Sequence, residues 1–137
     1  MLNLCTREEL VSFPEMKEIY HTEYGSYLPD SAAISLLKPL IKAKQITIVM
    51  GSWCGDSKTQ VPRFYKVLDA AGVLPGDITL IGVNEDKKAE DGLIDHLKIE
   101  RVPTFIFSEN KQEIGRITEL PLSTLEKDSV EILTKKI

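Results

Sequence analysis

Cysteine is scarce in this chain: two among 137 residues, Cys5 and Cys54, far apart and in unlike surroundings. That count and spacing exclude the disulfide framework of a small secreted domain and imply two reduced thiols. Positive charge is not in excess either. The formal net charge is -4 and no window interleaves Lys or Arg with aromatics, so a nucleic-acid partner is excluded. No apolar run approaches the roughly 18 residues of a membrane span. The N-terminal stretch from Met1 to Glu9 lacks a basic segment followed by an apolar one, which leaves a cytoplasmic protein with no membrane partner as the expectation. Internal repeats, low-complexity tracts and linkers are absent too, so a single domain is expected. With 42% hydrophobic and 28% charged residues, a chain of this length can bury its core without metal or disulfide staples.

What is present divides at about residue 45. Residues 1–44 read as helical: Thr6 and Glu9 form a capping-box pattern, and Leu10, Phe13, Met16, Ile19 and Tyr20 recur at helical spacing, with Pro14 splitting the segment. Asp30 is placed to cap a helix carrying Ile34, Leu37 and Ile41, in which Pro39 marks a kink or a second start. Tyr20, Tyr24 and Tyr27 are expected to fix this arm to the body. From Gln45 the pattern changes to Ile46-Thr47-Ile48-Val49-Met50, a β-branched run suited to a strand buried on both faces. A helix follows from near Cys54 to Gly72 with Pro62 inside it, then a strand over 77–83, a short helix around Leu93 to Leu97, and a strand over 102–107. Asn110-Lys111 reads as a hairpin turn into a partner strand at 113–117, and Ser123 with Glu126 as the cap of a final helix. The fold class is α/β: a mixed central sheet flanked by helices, with a core over 45–137 and a helical extension over 1–44.

The chemistry-bearing segment is Trp53-Cys54-Gly55-Asp56-Ser57, one thiol at a strand-to-helix junction with a hydroxyl three residues on. A thiol at a helix N-terminus faces unpaired backbone N–H groups and the positive end of the dipole, which favour thiolate. Ser57 is placed to donate a hydroxyl to it, whereas the Asp56 carboxylate opposes a second negative charge. The alternative is a buried, inert cysteine.

Three features coincide: W-C-x-x-S followed by Lys58, Pro62 eight residues past Cys54, and Val102-Pro103-Thr104 opening a later strand. Together they resemble the thioredoxin family over residues 45–137, at Trp53, Cys54, Gly55, Lys58, Pro62, Pro103 and Thr104. The fuller pattern, with R-V-P-T-F-I-F and E-I-G-R-I, is similar to a bacterial thioredoxin-like branch. The resemblance implies a thioredoxin-like fold and a cis peptide before Pro103 facing the thiol. It also implies a substrate peptide paired to the Val102 backbone, with Trp53, Gly55, Asp56, Arg101, Val102, Pro103 and Thr104 around it. The plain alternative for Pro103 is a trans proline at the start of an edge strand. Arg101 either helps to hold thiolate and anionic substrates or is simply solvated.

Two departures shape the functional expectation. The family's buried proton-relay aspartate, six residues before the first cysteine, is Ile48 here, and the resolving cysteine is Ser57. Where the family has a groove-lining glycine, Glu119-Leu120-Pro121 falls. The expectation is therefore monothiol exchange: Cys54 and Ser57 as catalytic residues, disulfide-bearing proteins, peptides or small thiols as partners, no cofactor and no metal, and negligible dithiol reductase activity. Cys5 is either a resolver, if the arm folds across the site, or a packing residue, and peroxide oxidation of Cys54 is a further possibility. A non-catalytic binding module is the main rival. C-G-D-S is also similar to the C-G-F-S of monothiol glutaredoxins, which hold an iron–sulfur cluster with glutathione, although Trp53 and Asp56 fit that family poorly. His21 and His96 stand at no metal-ligand spacing from the motif, and the charged run 84–91 reads as a solvated loop.

Overall fold

The computed structural model describes residues 1–134. The chain runs β1 (Asn3–Cys5), α1 (Arg7–Ser12), α2 (Lys17–Ser26), α3 (Ser31–Ile41), β2 (Gln45–Met50), α4 (Gly55–Ala70), β3 (Ile78–Gly82), β4 (Thr104–Glu109), β5 (Gln112–Thr118) and α5 (Leu125–Thr134). The sheet order is β1-β3-β2-β4-β5, with β2 and β3 parallel and every other neighbouring pair antiparallel. The α/β class and the mixed sheet are as the sequence implies.

Local chemistry sets most boundaries. Glu9 N–H donates to the Thr6 hydroxyl and Thr6 N–H to the Glu9 carboxylate, closing the capping box of α1. Asp30 caps α3 by accepting from Ala33 N–H. Pro39 neither breaks nor restarts α3, and Pro62 lies within α4 in the same way. Gly72 ends the α4 segment at φ +79, a left-handed conformation natural to glycine. Asn110 and Lys111 both take positive φ, the geometry of a tight hairpin turn between β4 and β5.

Three expectations need correction. Residues 3–5 form a strand, not helix, because Asn3, Leu4 and Cys5 pair with Gly82, Ile81 and Leu80 along the open edge of β3. Around Leu93 there is no α-helix: positive φ at Asp91, Gly92 and Lys98 breaks the segment into 3₁₀ turns at Glu90–Gly92 and Asp95–Leu97. The cap of α5 is Thr124, whose hydroxyl accepts from Lys127 N–H. Glu126, expected in that cap, is buried and instead accepts from the Tyr27 hydroxyl at 2.6 Å and Asp30 N–H at 2.7 Å.

The sheet's two faces are covered differently. On one, Ile46, Ile48, Met50, Phe105 and Phe107 pack against the helices, with the Phe64 and Phe105 ring centroids 4.2 Å apart. Tyr20, Tyr24 and Tyr27 do tie the N-terminal helices to this layer. Arg7 donates to Tyr20 at 3.0 Å, binds Asp69 through two hydrogen bonds and stacks on Tyr65, while Tyr24 also donates to Asp69. On the other face, Val49, Ile81, Val83, Ile94 and Val102 form a smaller cluster beneath the 84–101 segment. That cover leaves a cleft of about 610 Å³ over Thr47 and Ile106. No helix among the described residues is long and apolar enough to cross a membrane.

Candidate active site around Cys54

β2 delivers the chain to Gly51, where it turns into α4. Cys54 N–H donates to the Gly51 carbonyl at 2.9 Å, and Gly51 N–H donates to the Ser57 hydroxyl at 3.1 Å, so the turn is closed from both ends. A side chain at Gly51 would overlap the Trp53 indole, which lies directly over it. Trp53 Nε1 donates to the Val83 carbonyl at 2.9 Å, fastening this turn to the end of β3. Cys54 is the N-cap of α4 in extended conformation, its carbonyl accepting from Lys58 N–H at 3.0 Å and its side chain making no cap bond. The first-turn N–H groups of α4 lack intrahelical acceptors, and the Cys54 side chain at the cap accepts from none of them.

Facing the thiol is the loop before β4. The Cys54 S–H points to the Val102 carbonyl at 3.5 Å, and the Val102–Pro103 peptide is cis. Thr104 donates its hydroxyl to the Arg101 carbonyl at 2.6 Å, and Glu119 N–H donates to the Pro103 carbonyl at 2.7 Å. Arg101 Nη1 lies 3.3 Å from Glu119 Oε1, so an ion pair spans from this loop to the turn after β5. These groups border a half-open cleft of about 430 Å³ in which Cys54, Trp53, Arg101 and Val102 meet.

The structure thus brings part of the expected set together. Gly55 and Asp56 sit at the outer start of α4, and Asp56 in the first turn complements the helix dipole. Pro103 and Thr104 are buried beneath the cleft. Ser57, expected as hydroxyl partner of the sulfur, is fully buried with its oxygen accepting from Gly51 N–H, and no hydrogen bond among the described residues joins it to Cys54. Thr104 and Ser57 hold backbone in place. Lys87, Glu100 and Glu119 complete the cleft wall and were not foreseen. Only the Glu119 position carried a signal in the sequence, by standing where a groove glycine was expected.

Cys5 lies elsewhere. β3 separates β1 from β2, two interstrand spacings or roughly 10 Å, beyond the roughly 4.4–6.8 Å Cα separation a disulfide needs. Its thiol donates to the Asn3 carbonyl at 3.2 Å, and burial pushes it up from the usual cysteine range. Cys5 packs against the helical core, whereas Cys54 packs against the smaller cluster on the opposite face. No group of three or more His, Cys, Asp or Glu residues suited to a metal ion occurs among the described residues.

No protein-family model matches the chain, and no curated protein sequence matches it. Solved structures do. A Pseudomonas aeruginosa protein of unknown function is 17% identical, covering 94% of this chain and 89% of its own, with a TM-score of 0.62. An HIV epitope scaffold is 19% identical over 95% of this chain and 96% of its own, with a TM-score of 0.53. Coverage of that extent takes in most of the N-terminal helices. A Schistosoma mansoni thioredoxin pre-protein is 23% identical over 79% of this chain and 92% of its own, with a TM-score of 0.48. The likenesses to the first two are of fold; the sheet order, the thiol at the β2-to-α4 junction and the cis peptide facing it make that fold thioredoxin-like.

Proposed function

We propose that this protein carries out monothiol thiol–disulfide exchange through Cys54, as a cytoplasmic one-cysteine variant of the bacterial W-C-G-D-S branch. The observation that carries the reading is the sulfur's position, half-exposed in a cleft at the start of α4, with Ser57 at the resolving position and the other thiol held across β3. Such a site supports attack on a disulfide to give a mixed disulfide on Cys54, released by an external thiol. Peptide and low-molecular-weight disulfides both fall within this chemistry. With no resolving thiol in the site, insulin reduction by the dithiol route is expected to be negligible.

The test uses a Cys5→Ser variant, so that Cys54 is the one thiol present. Incubation with bis(2-hydroxyethyl) disulfide should give a single mass adduct on Cys54, reversed by added thiol and lost in Cys54→Ser. Absence of the adduct, together with iodoacetamide alkylation no faster than that of free cysteine, would favour a non-catalytic binding module. That rival draws support from the contact of the Cys54 S–H with the Val102 carbonyl, which only the protonated sulfur makes.

A further inference from the structure

The three carbonyls beside the thiol are already engaged within the chain. That of Arg101 accepts from the Thr104 hydroxyl, that of Val102 faces the Cys54 S–H, and that of Pro103 accepts from Glu119 N–H. Pro103 has no N–H to offer. An extended peptide laid along 101–103 depends on main-chain hydrogen bonds for its affinity. Disulfide formation on Cys54 frees the Val102 carbonyl, while each neighbouring carbonyl keeps one of its two acceptor sites committed.

Charged side chains stand out in the cleft wall. Lys87 and Arg101 supply cations at its wall, and Glu100 and Glu119 supply carboxylates. Glu119 is fixed in a left-handed backbone conformation, φ +66, by its N–H bond to Pro103, and its carboxylate meets Arg101. The Arg101 side chain is 65% exposed, so most of its guanidinium donors stay open to a second partner.

We propose that the Cys54 cleft selects low-molecular-weight disulfides of the amino-acid type, bearing both carboxylate and ammonium groups, over polypeptide disulfides. Arg101 and Lys87 receive the carboxylate, and Glu119 and Glu100 receive the ammonium. This inference rests on the monothiol reading. Deprotonated Cys54 Sγ attacks one sulfur of the disulfide, the S–S bond breaks, and the departing thiolate takes up the proton that Cys54 lost. A second small thiol, as thiolate, then attacks the mixed disulfide and leaves as a new small disulfide, restoring Cys54.

The experiment measures exchange rates of the Cys5→Ser protein with cystine, cystamine, dithiodipropionate, bis(2-hydroxyethyl) disulfide and an uncharged disulfide-bonded peptide. Each rate is divided by that of mercaptoethanol with the same disulfide. Cystine is expected to exceed the neutral small disulfide by about two- to five-fold, the scale of exposed ion pairs, and molar salt should abolish the difference. The peptide should be slowest. Arg101→Gln should slow cystine and dithiodipropionate relative to cystamine, and Glu119→Gln should slow cystine and cystamine relative to dithiodipropionate. A peptide as fast as cystine, or rates indifferent to charge and salt, overturns the inference and leaves monothiol exchange standing. No exchange with any probe overturns both.

Discussion

Removing the Glu126 carboxylate tests whether the N-terminal helices and the thiol-bearing core are one cooperative unit. Glu126 is 2% exposed and joins α5 to the connection between α2 and α3 through the Tyr27 hydroxyl and Asp30 N–H. Hydrogen bonds to a charged group contribute about 1.5–3 kcal/mol each. Tyr27 is half-buried and recovers part of its loss by turning to water, so Glu126→Ala should cost about 2–4 kcal/mol out of a total near 5–15 kcal/mol. For a domain of this size that lowers Tm by roughly 8–15 °C. Urea unfolding followed by circular dichroism and by Trp53 fluorescence should move to a lower midpoint with unchanged slope and coincident probes. Tyr27→Phe combined with Glu126→Ala should reveal a coupling of about 1–2 kcal/mol. A loss below about 0.5 kcal/mol, or a two-step transition with the N-terminal helices melting first, would refute the reasoning.

Gly51→Ala should displace the indole from the Val83 carbonyl and cost about 1–3 kcal/mol by overpacking, read as a red-shifted Trp53 emission with slower Cys54 alkylation; unchanged emission would count against the proposed contact. Iodoacetamide followed by peptide mapping should label Cys54 before Cys5 by on the order of tenfold, because the Cys5 thiol is raised by burial, and equal labelling would contradict this. For Asp69, burial raises the carboxyl, but the Arg7 guanidinium and Tyr24 hydroxyl more than reverse it, leaving the group below its ordinary value. Its contribution is therefore complete above the unfolded carboxylate range near 3.8 and lost as pH falls through the lower folded value. Asp69→Asn should flatten the acid limb of a stability–pH curve, and an unaltered limb would contradict the pairing. Tyr20 is pushed up to about 12, chiefly by burial, so its contribution holds below pH 10 and is lost as pH rises toward that value. Tyr20→Phe should flatten the alkaline limb, and no change there would contradict the shift.

Much of the fold was legible because periodicity and caps are local. The run 46–50, the capping box of Thr6 and Glu9, the Asp30 cap and the Asn110-Lys111 turn each appear where neighbouring residues alone demand them. β1 was not legible, since three residues with an exposed Leu4 carry no alternation and become a strand only by pairing with β3. Glu126 misled for the same reason: its partners lie 96 and 99 residues away, and a local cap lost to a tertiary one. At the site, the position of Cys54 at a helix start was readable. The commitment of Ser57 to Gly51 was not, because it depends on how the turn folds back from β2 into α4, nor was the pairing of Arg101 with Glu119, where separate turns converge.

The uneven covering of the sheet has a consequence for how the thiol is reached. Its helical face is sealed by long elements, but the face behind Cys54 is closed by a segment of 3₁₀ turns held by a few apolar residues and by Trp53 Nε1 on Val83. Local opening of 84–101 therefore costs less than global unfolding and bares the sulfur together with Val102. Amide hydrogen exchange would register it as a patch of low protection bordering the reactive residue, with β2 and β4 remaining protected.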